Sequence, residues 1–168
     1  MSKFMDNQGN IAIEYMLIVG MAFIISLMVL NFINTEQELD NALGAARSGA
    51  SEGINMDNFA IYPKEAFNSY EAEKPILISP SSIKIVKIEA IDQGYNINYK
   101  KTKIQLKVFV SCTKPLNSNE KNSLGDRINF NIRKSISICF KNENLTNSVY
   151  NPAFSPKYVF TTADIKWI

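Results

Sequence analysis

The longest apolar pattern in the chain runs from residue 11 to residue 33 and reads IAIEYMLIVGMAFIISLMVLNFI. A single charge, Glu14, interrupts it, and the nineteen residues from Tyr15 to Ile33 carry none. As a helix, the uncharged stretch spans roughly 28 Å, which is close to the hydrocarbon thickness of a bilayer. Apolar side chains occupy every face of such a helix. The pattern therefore predicts membrane insertion rather than a half-buried surface helix.

The helix is predicted to continue beyond the membrane as an amphipathic segment. Apolar residues recur there at three- and four-residue spacing, while charged residues take the other positions. Gly53 provides a natural helix end. We therefore predict one helix from about residue 10 to about residue 50, half in lipid and half packed on a soluble domain, with no second long helix. The apolar positions of the amphipathic half are Leu39, Ala42, Leu43, Ala46 and Ala50.

From Pro75 onward the apolar positions alternate with a period of two, which indicates β-strands. The alternation changes phase between Ile85 and Val86, which predicts a bulge. Gln93-Gly94 predicts the turn of a hairpin, with Tyr95, Ile97 and Tyr99 in its second strand. Further strands are predicted over residues 104–110, 128–138 and 157–160, with a polar loop at 113–126 and a C-terminal DIKWI segment that closes the sheet.

These patterns together predict the α+β class, with one long N-terminal helix packed on an antiparallel β-sheet head. One face of that sheet is expected to be solvated and the other to lie on the amphipathic half of the helix. Residues 54–74 read as a connector whose aromatic residues cover the seam between helix and sheet.

Composition excludes several classes of function. The chain has 18 Lys and Arg residues against 16 Asp and Glu residues, and this balance does not suggest a nucleic-acid partner. Histidine is absent, which removes the commonest general base and the commonest imidazole metal ligand. The sequence has no carboxylate pair, metal cluster or glycine-rich phosphate loop. We therefore expect no enzymatic activity, no cofactor and no metal.

Two simpler interpretations of the apolar segment fit less well. A secretory signal peptide requires a basic start and a small-residue cleavage site, but Lys3 and Asp6 cancel and no such site follows the run. A plain transmembrane anchor explains the run but leaves Glu14 without a role. A charge in a membrane helix costs on the order of 2.5–3.5 kcal/mol at the centre and less near the interface. Glu14 therefore needs a cation from outside its helix.

The residues Gly9-Asn10-Ile11-Ala12-Ile13-Glu14 resemble the processing site of prepilins with a class III signal peptide, and most closely that of archaeal type IV pilins. In that family a prepilin peptidase cuts after the glycine that ends a short leader, and glutamate is the fifth mature residue. Asn10 and Ala12 stand where the archaeal motif has Gln and Ser. The resemblance implies cleavage between Gly9 and Asn10, with a leader of residues 1–9, a helix of residues 10–53, and a connector and head of residues 54–168.

The resemblance also implies a function. The chain would be a subunit, major or minor, of a type IV pilus-like surface filament with a structural or adhesive role. It would lie in the cell membrane before assembly and in an extracellular filament afterwards. Its partners would be a prepilin peptidase, the membrane and identical or related subunits, with Glu14 paired to the new amino terminus of a neighbour. The alternative is an unprocessed bitopic membrane protein whose extracellular β-rich head binds a ligand or partner.

Two features of the head are left open by the sequence. An extracellular location permits a disulfide between Cys112 and Cys139. The two cysteines fall on opposite parities of their predicted strands, so a simple cross-strand bond would need a bulge. Asn144-Leu145-Thr146 is an N-glycosylation sequon in a predicted loop.

Overall fold

The computed structural model describes residues 3–55, 83–113 and 115–168, with side chains from residue 11 onward. The chain divides into two compact units, Met1–Leu39 and Asp40–Ile168. The predicted α+β class, with a long N-terminal helix and a β-sheet, is confirmed. The elements in chain order are α1 (Lys3–Asn55), β1 (Ile83–Asn96), β2 (Lys101–Cys112), α2 (Ser118–Cys139), a 3-10 helix (Glu143–Leu145), β3 (Ala153–Phe154), β4 (Tyr158–Thr162) and β5 (Lys166–Trp167).

Helix α1 runs through Gly44, Gly49 and Gly53, the last of which was the predicted helix end, and ends at Asn55. Two of these glycines face α2. A β-carbon on Gly49 would lie 2.3 Å from the carbonyl oxygen of Asn131, and one on Gly53 would lie 2.9 Å from the α-carbon of Ile128. The glycines therefore let two helix backbones approach closely instead of ending the helix. Ala42, Ala46 and Ala50 of the same segment are fully buried.

The sheet has five strands in the order β1-β2-β4-β3, and β5 also pairs with β2. β1 pairs with β2, and β3 with β4, in antiparallel fashion. β2 pairs in parallel with both β4 and β5. The sheet is therefore mixed rather than wholly antiparallel. Parallel neighbours need a long crossover connection, usually with a helix in it, and α2 lies in the crossover between β2 and β4.

The strand predicted over residues 104–110 is confirmed, because these residues lie within β2 and the alternating side chains of Ile104, Leu106, Val108 and Val110 are buried. The predicted bulge is also confirmed, because the β1–β2 register shifts between Ile85 and Lys87. The predicted turn at Gln93-Gly94 is wrong. Gly94 lies inside β1 at a second register shift, with a φ of +81°. The turn comes after Asn96, whose Oδ1 accepts the backbone N–H groups of the second and third residues after it, at 3.0 and 3.2 Å.

Residues 128–138 form a helix, so the strand predicted there, the absence of a second long helix and part of the loop predicted at 113–126 are all wrong. Helix α2 starts with a capping box in which Asn117 Oδ1 accepts the N–H of Glu120 at 2.8 Å, while a Glu120 carboxylate oxygen accepts the N–H of Asn117 at 2.9 Å. The fully buried face has a period of four rather than two, because Leu124, Ile128, Ile132 and Ile136 expose at most 2% of their surface.

Arg133 ties α2 to the C-terminal half of the head. Its Nε donates to the carbonyl oxygen of Val149 at 3.3 Å, and its Nη1 donates to the hydroxyl of Thr162 on β4. Burial lowers the pKa of the Arg133 guanidinium from its ordinary value, and the Asp126 carboxylate opposes that shift. An arginine keeps its charge at neutral pH under such a shift. The cation is therefore held partly buried among backbone and hydroxyl acceptors.

The C-terminal segments join the sheet as the sequence predicts, through β4 and β5. The core of the second unit combines the buried face of β2 with α2, the small residues of α1 and Val159, Phe160 and Ile165. The predicted connector, from residue 56 onward, and the start of the β pattern at Pro75 lie outside the described residues.

Candidate membrane segment and head groove

The described part of the chain leaves all the large side chains of the apolar segment of α1 exposed. From Ile11 to Ile33 the large apolar side chains expose between 46% (Leu27) and 79% (Met16) of their surface. In the described part of the chain, this is the one helix long and apolar enough to cross a membrane. An apolar surface of this size is compatible with insertion into a membrane.

Hydroxyl groups along this helix bond to its own backbone. Ser26 Oγ donates to the carbonyl oxygen of Ala22 at 2.9 Å, and Thr35 Oγ1 donates to that of Asn31 at 2.8 Å. Both bonds span four residues, so each hydroxyl is satisfied within the helix. Because hydrocarbon offers no hydrogen-bond partner, this arrangement suits an apolar medium.

Glu14 lies near the start of the apolar segment with its side chain exposed. Among the side chains described in α1, the only basic one is Arg47, which lies 33 residues further along. No basic side chain described in α1 therefore lies within one or two helical turns of Glu14. Gly9 and Asn10 lie in the backbone of α1. Cleavage between them, and the pairing of Glu14 with another chain, stay predictions.

The two cysteines lie at the ends of different elements. Cys112 ends β2 and is half-buried, whereas Cys139 ends α2 and is exposed. Both belong to the described residues and both are free thiols, so the disulfide that the sequence left open is not formed in this structure.

Asn144 lies in the 3-10 helix that follows α2, and its side chain is exposed. The third residue of the sequon, Thr146, has its hydroxyl within 3.2 Å of the carbonyl oxygen of Glu143. The sequon is therefore on the surface, as N-glycosylation requires, and its modification stays a prediction.

A groove on the head was missed by the sequence analysis. It has a volume of about 430 Å³ and runs between α2 and the C-terminal segment. Its walls carry Lys121, Asn122, Asp126 and Asn129 from α2, and Asp164 and Trp167 from the C-terminal segment. Residues 122, 126 and 129 share one face only if the segment is helical. The Asn117–Glu120 capping box was the signal that could have placed them together.

A second groove of about 290 Å³ adjoins the first, since Lys121 and Trp167 line both. Its other walls include Cys112, Pro115 and Leu116. The half-exposed indole of Trp167 thus stands between a polar groove and a more apolar one.

No family model, curated protein or solved structure matches this chain.

Proposed function

We propose that the chain is a subunit of a type IV pilus-like surface filament, held in the membrane by the N-terminal part of α1 before assembly and bundled with other subunits afterwards. The observation that carries the proposal is the apolar segment from Ile11 to Ile33, which is exposed on all sides and begins with the single charge of Glu14. Lipid can cover this surface before assembly, and the same segments of neighbouring subunits can cover it in a filament.

The position of Glu14 supports a filament more than a simple anchor. Cleavage after Gly9 would place a free amino group on Asn10, four residues before Glu14. In a bundle of such helices, the amino group of one subunit can neutralise the carboxylate of the next. Each charge is costly alone in an apolar core and tolerable when paired. A pair of this kind also fixes axial register, as a buried polar residue does in a coiled coil.

The alternative function is that of a bitopic membrane protein that keeps residues 1–9 and presents its head as a binding module. The groove beside Trp167 favours it, because a monomeric binding protein needs a concave site and a filament subunit does not. The two functions differ in the N-terminal residue of the native protein and in whether the protein polymerises.

The test is to express the full chain in cells that assemble type IV pili, shear the surface filaments and determine the N-terminus by mass spectrometry. We expect Asn10 as the first residue and the protein in the sheared fraction. Gly9→Val should block cleavage and incorporation, because a branched side chain is placed beside the scissile bond. Gly44→Val is the matched control, since Gly44 lies outside the apolar segment and a β-carbon there meets nothing within 4 Å. An intact Met1 or Ser2 start in the membrane fraction alone would favour the bitopic protein.

A further inference from the structure

The groove between α2 and the C-terminal segment brings charged, amide and aromatic side chains together around one concave surface. Its size falls in the range of roughly 300–1,000 Å³ that is typical of small-molecule sites. The exposed carboxylates of Asp126 and Asp164 accept hydrogen bonds, and the ammonium of Lys121 donates them. The amide of Asn122 can do both. The half-exposed ring of Trp167 adds an apolar wall with a large flat face.

Asn129 gives independent support for a ligand. It lines the groove from α2 and exposes only 8% of its surface. Its Nδ2 donates to the carbonyl oxygen of Ala163 at 3.0 Å, which fixes the orientation of the amide. Within the described residues, its solvent-shielded Oδ1 has no hydrogen-bond partner. A buried acceptor without a donor costs about 1–3 kcal/mol, so a small shift of the wall that opened this oxygen to the groove would be repaid by a hydrogen bond from a ligand.

We infer that this groove is a carbohydrate-binding site, in which sugar hydroxyls bond to Asp126, Asp164 and Asn129 while a sugar ring packs on Trp167. A sugar hydroxyl both donates and accepts, so it matches a wall on which carboxylates, an amide and an ammonium alternate. The C–H face of a sugar ring is apolar and matches the indole.

Other ligands match the groove less well. A cationic ligand would use the two carboxylates and the indole but would be repelled by Lys121. An anionic ligand would be repelled by both carboxylates. A metal ion is also disfavoured, because no group of three or more Cys, Asp or Glu side chains in the described part of the chain could hold one. A neutral ligand rich in hydroxyl groups fits the balance of charges.

The adjoining groove indicates the length of the ligand. Lys121 and Trp167 belong to both grooves, so a ligand that stacks on the indole can extend across it. One sugar ring fills part of the larger groove, and a second ring can reach the walls formed by Pro115 and Leu116. A disaccharide or longer oligosaccharide is therefore the expected ligand class. The inference holds whether or not the chain enters filaments, because every residue that carries it lies in the head.

The chain supplies its own probe, because Trp167 is its only tryptophan. We would purify the full chain in a zwitterionic detergent, since maltoside and glucoside detergents carry competing sugars. The intrinsic emission would be recorded during titration with maltose, cellobiose, lactose and chitobiose up to about 20 mM, so that a dissociation constant of about 1 mM, or −4.1 kcal/mol, is detected. We expect a saturable change in emission with at least one of the four.

Variants separate binding in the groove from general solvent effects. Asp164→Asn and Asp126→Asn should each weaken the affinity about fivefold or more, because a charged acceptor becomes a neutral one. Asp92→Asn is the control and should bind as the parent does. Asp92 lies on β1, where its Oδ1 accepts the N–H of Gly94, a bond that an asparagine oxygen can keep. Far-UV circular dichroism checks that each variant is folded.

The inference is overturned if none of the four sugars gives a saturable response. It is also overturned if CaCl2 or n-butylammonium chloride alone produces one, or if both groove variants keep the parent affinity. If the parent chain binds sugar but is absent from the sheared filaments, the filament function is refuted and the carbohydrate site still stands.

Discussion

The carbonyl oxygen of Asn131 on α2 packs directly against Gly49 of α1. A β-carbon at residue 49 would lie 2.3 Å from that oxygen. The same β-carbon would lie 2.7 Å from the side-chain hydroxyl of Ser135. Real β-carbons do not approach oxygen this closely, so only glycine fits at residue 49. Fully buried Ala46 and Ala50 continue the small-residue face on either side. The C-terminal part of α1 is therefore built to bring its backbone against α2.

This contact makes a prediction for two glycines of one helix. Gly49→Ala should lower the free energy of unfolding by about 1–3 kcal/mol, because the added methyl group must push the helix backbones apart. Gly44→Ala is the control, since its β-carbon meets nothing within 4 Å, and alanine should stabilise the helix by up to about 1 kcal/mol. Urea unfolding of the full chain in detergent, followed by Trp167 fluorescence, measures both. Equal midpoints for the two variants would contradict the close helix contact.

A second pair of variants distinguishes the helix at residues 128–138 from the strand that the sequence suggested. Ile136 is fully buried, whereas Ile138 exposes 50% of its surface. In a strand the two side chains would share one face. We expect Ile136→Ala to destabilise the head by about 2–5 kcal/mol, through lost burial and the cavity left behind. Ile138→Ala should cost under about 1 kcal/mol. Comparable losses in the same urea experiment would support the strand.

The strand prediction for residues 128–138 was wrong because a two-residue and a four-residue periodicity overlap in this segment. Ile128, Phe130, Ile132, Ile136 and Ile138 alternate with polar residues, as a half-buried strand would. Three of these isoleucines, at 128, 132 and 136, also form a stripe of four-residue spacing with Leu124. Of these, the four with helical spacing are the ones fully buried, and Phe130 instead packs edge-on against Tyr150 with ring centroids 5.5 Å apart. A helix start signal at Asn117, rather than the apolar pattern, decides between the two.

The helix start is itself open to test. Asn117→Ala removes the side-chain acceptor for the N–H of Glu120 and should cost about 0.5–2 kcal/mol of stability. Ser123→Ala, at an exposed position inside the same helix, is the control and should change stability by less than about 0.5 kcal/mol. Both are compared by thermal unfolding monitored at 222 nm. An unchanged midpoint for Asn117→Ala would mean that the capping box does not stabilise α2.

The role of Glu14 leads to a prediction about assembly. Glu14→Gln keeps the size and hydrogen bonding of the side chain but removes its charge. Cleavage after Gly9 should survive, because the peptidase acts at the bond beside Gly9. Incorporation into sheared filaments should fall about tenfold or more, because the incoming amino group loses its counter-ion in an apolar core. Quantitative mass spectrometry of the membrane and sheared fractions measures both steps.

The control for this variant is Glu52→Gln, which removes an exposed charge from the same helix outside the apolar segment. It should be cleaved and incorporated as the parent is. If Glu14→Gln is also cleaved and incorporated normally, the carboxylate has no part in assembly and the plain membrane anchor gains support.

The N-terminal helix could be predicted because its uncharged apolar pattern is strong and local. Nineteen uncharged residues after Glu14 define a membrane-length helix by composition alone. The head was harder, since its pairings are distant in sequence. The buried face of β2 was correctly assigned from its alternation, but the parallel neighbours of β2 depend on α2. The groove was missed for the same reason, since most of its polar residues on α2 had been predicted to lie in a loop.

The pairing of β2 has a consequence for the order in which the head folds. β1 and β2 are joined by a short turn, so they can pair as soon as both have been synthesised. Val110 of β2, however, pairs with Trp167 of β5, which is 57 residues later in the chain. Strand pairing over such a sequence separation forms more slowly than pairing within a local hairpin. During synthesis β2 therefore keeps one edge unpaired until β4 and then β5 emerge. In that interval the β1–β2 hairpin is the paired part of the sheet. The unpaired edge of β2 then exposes the nascent chain to aggregation.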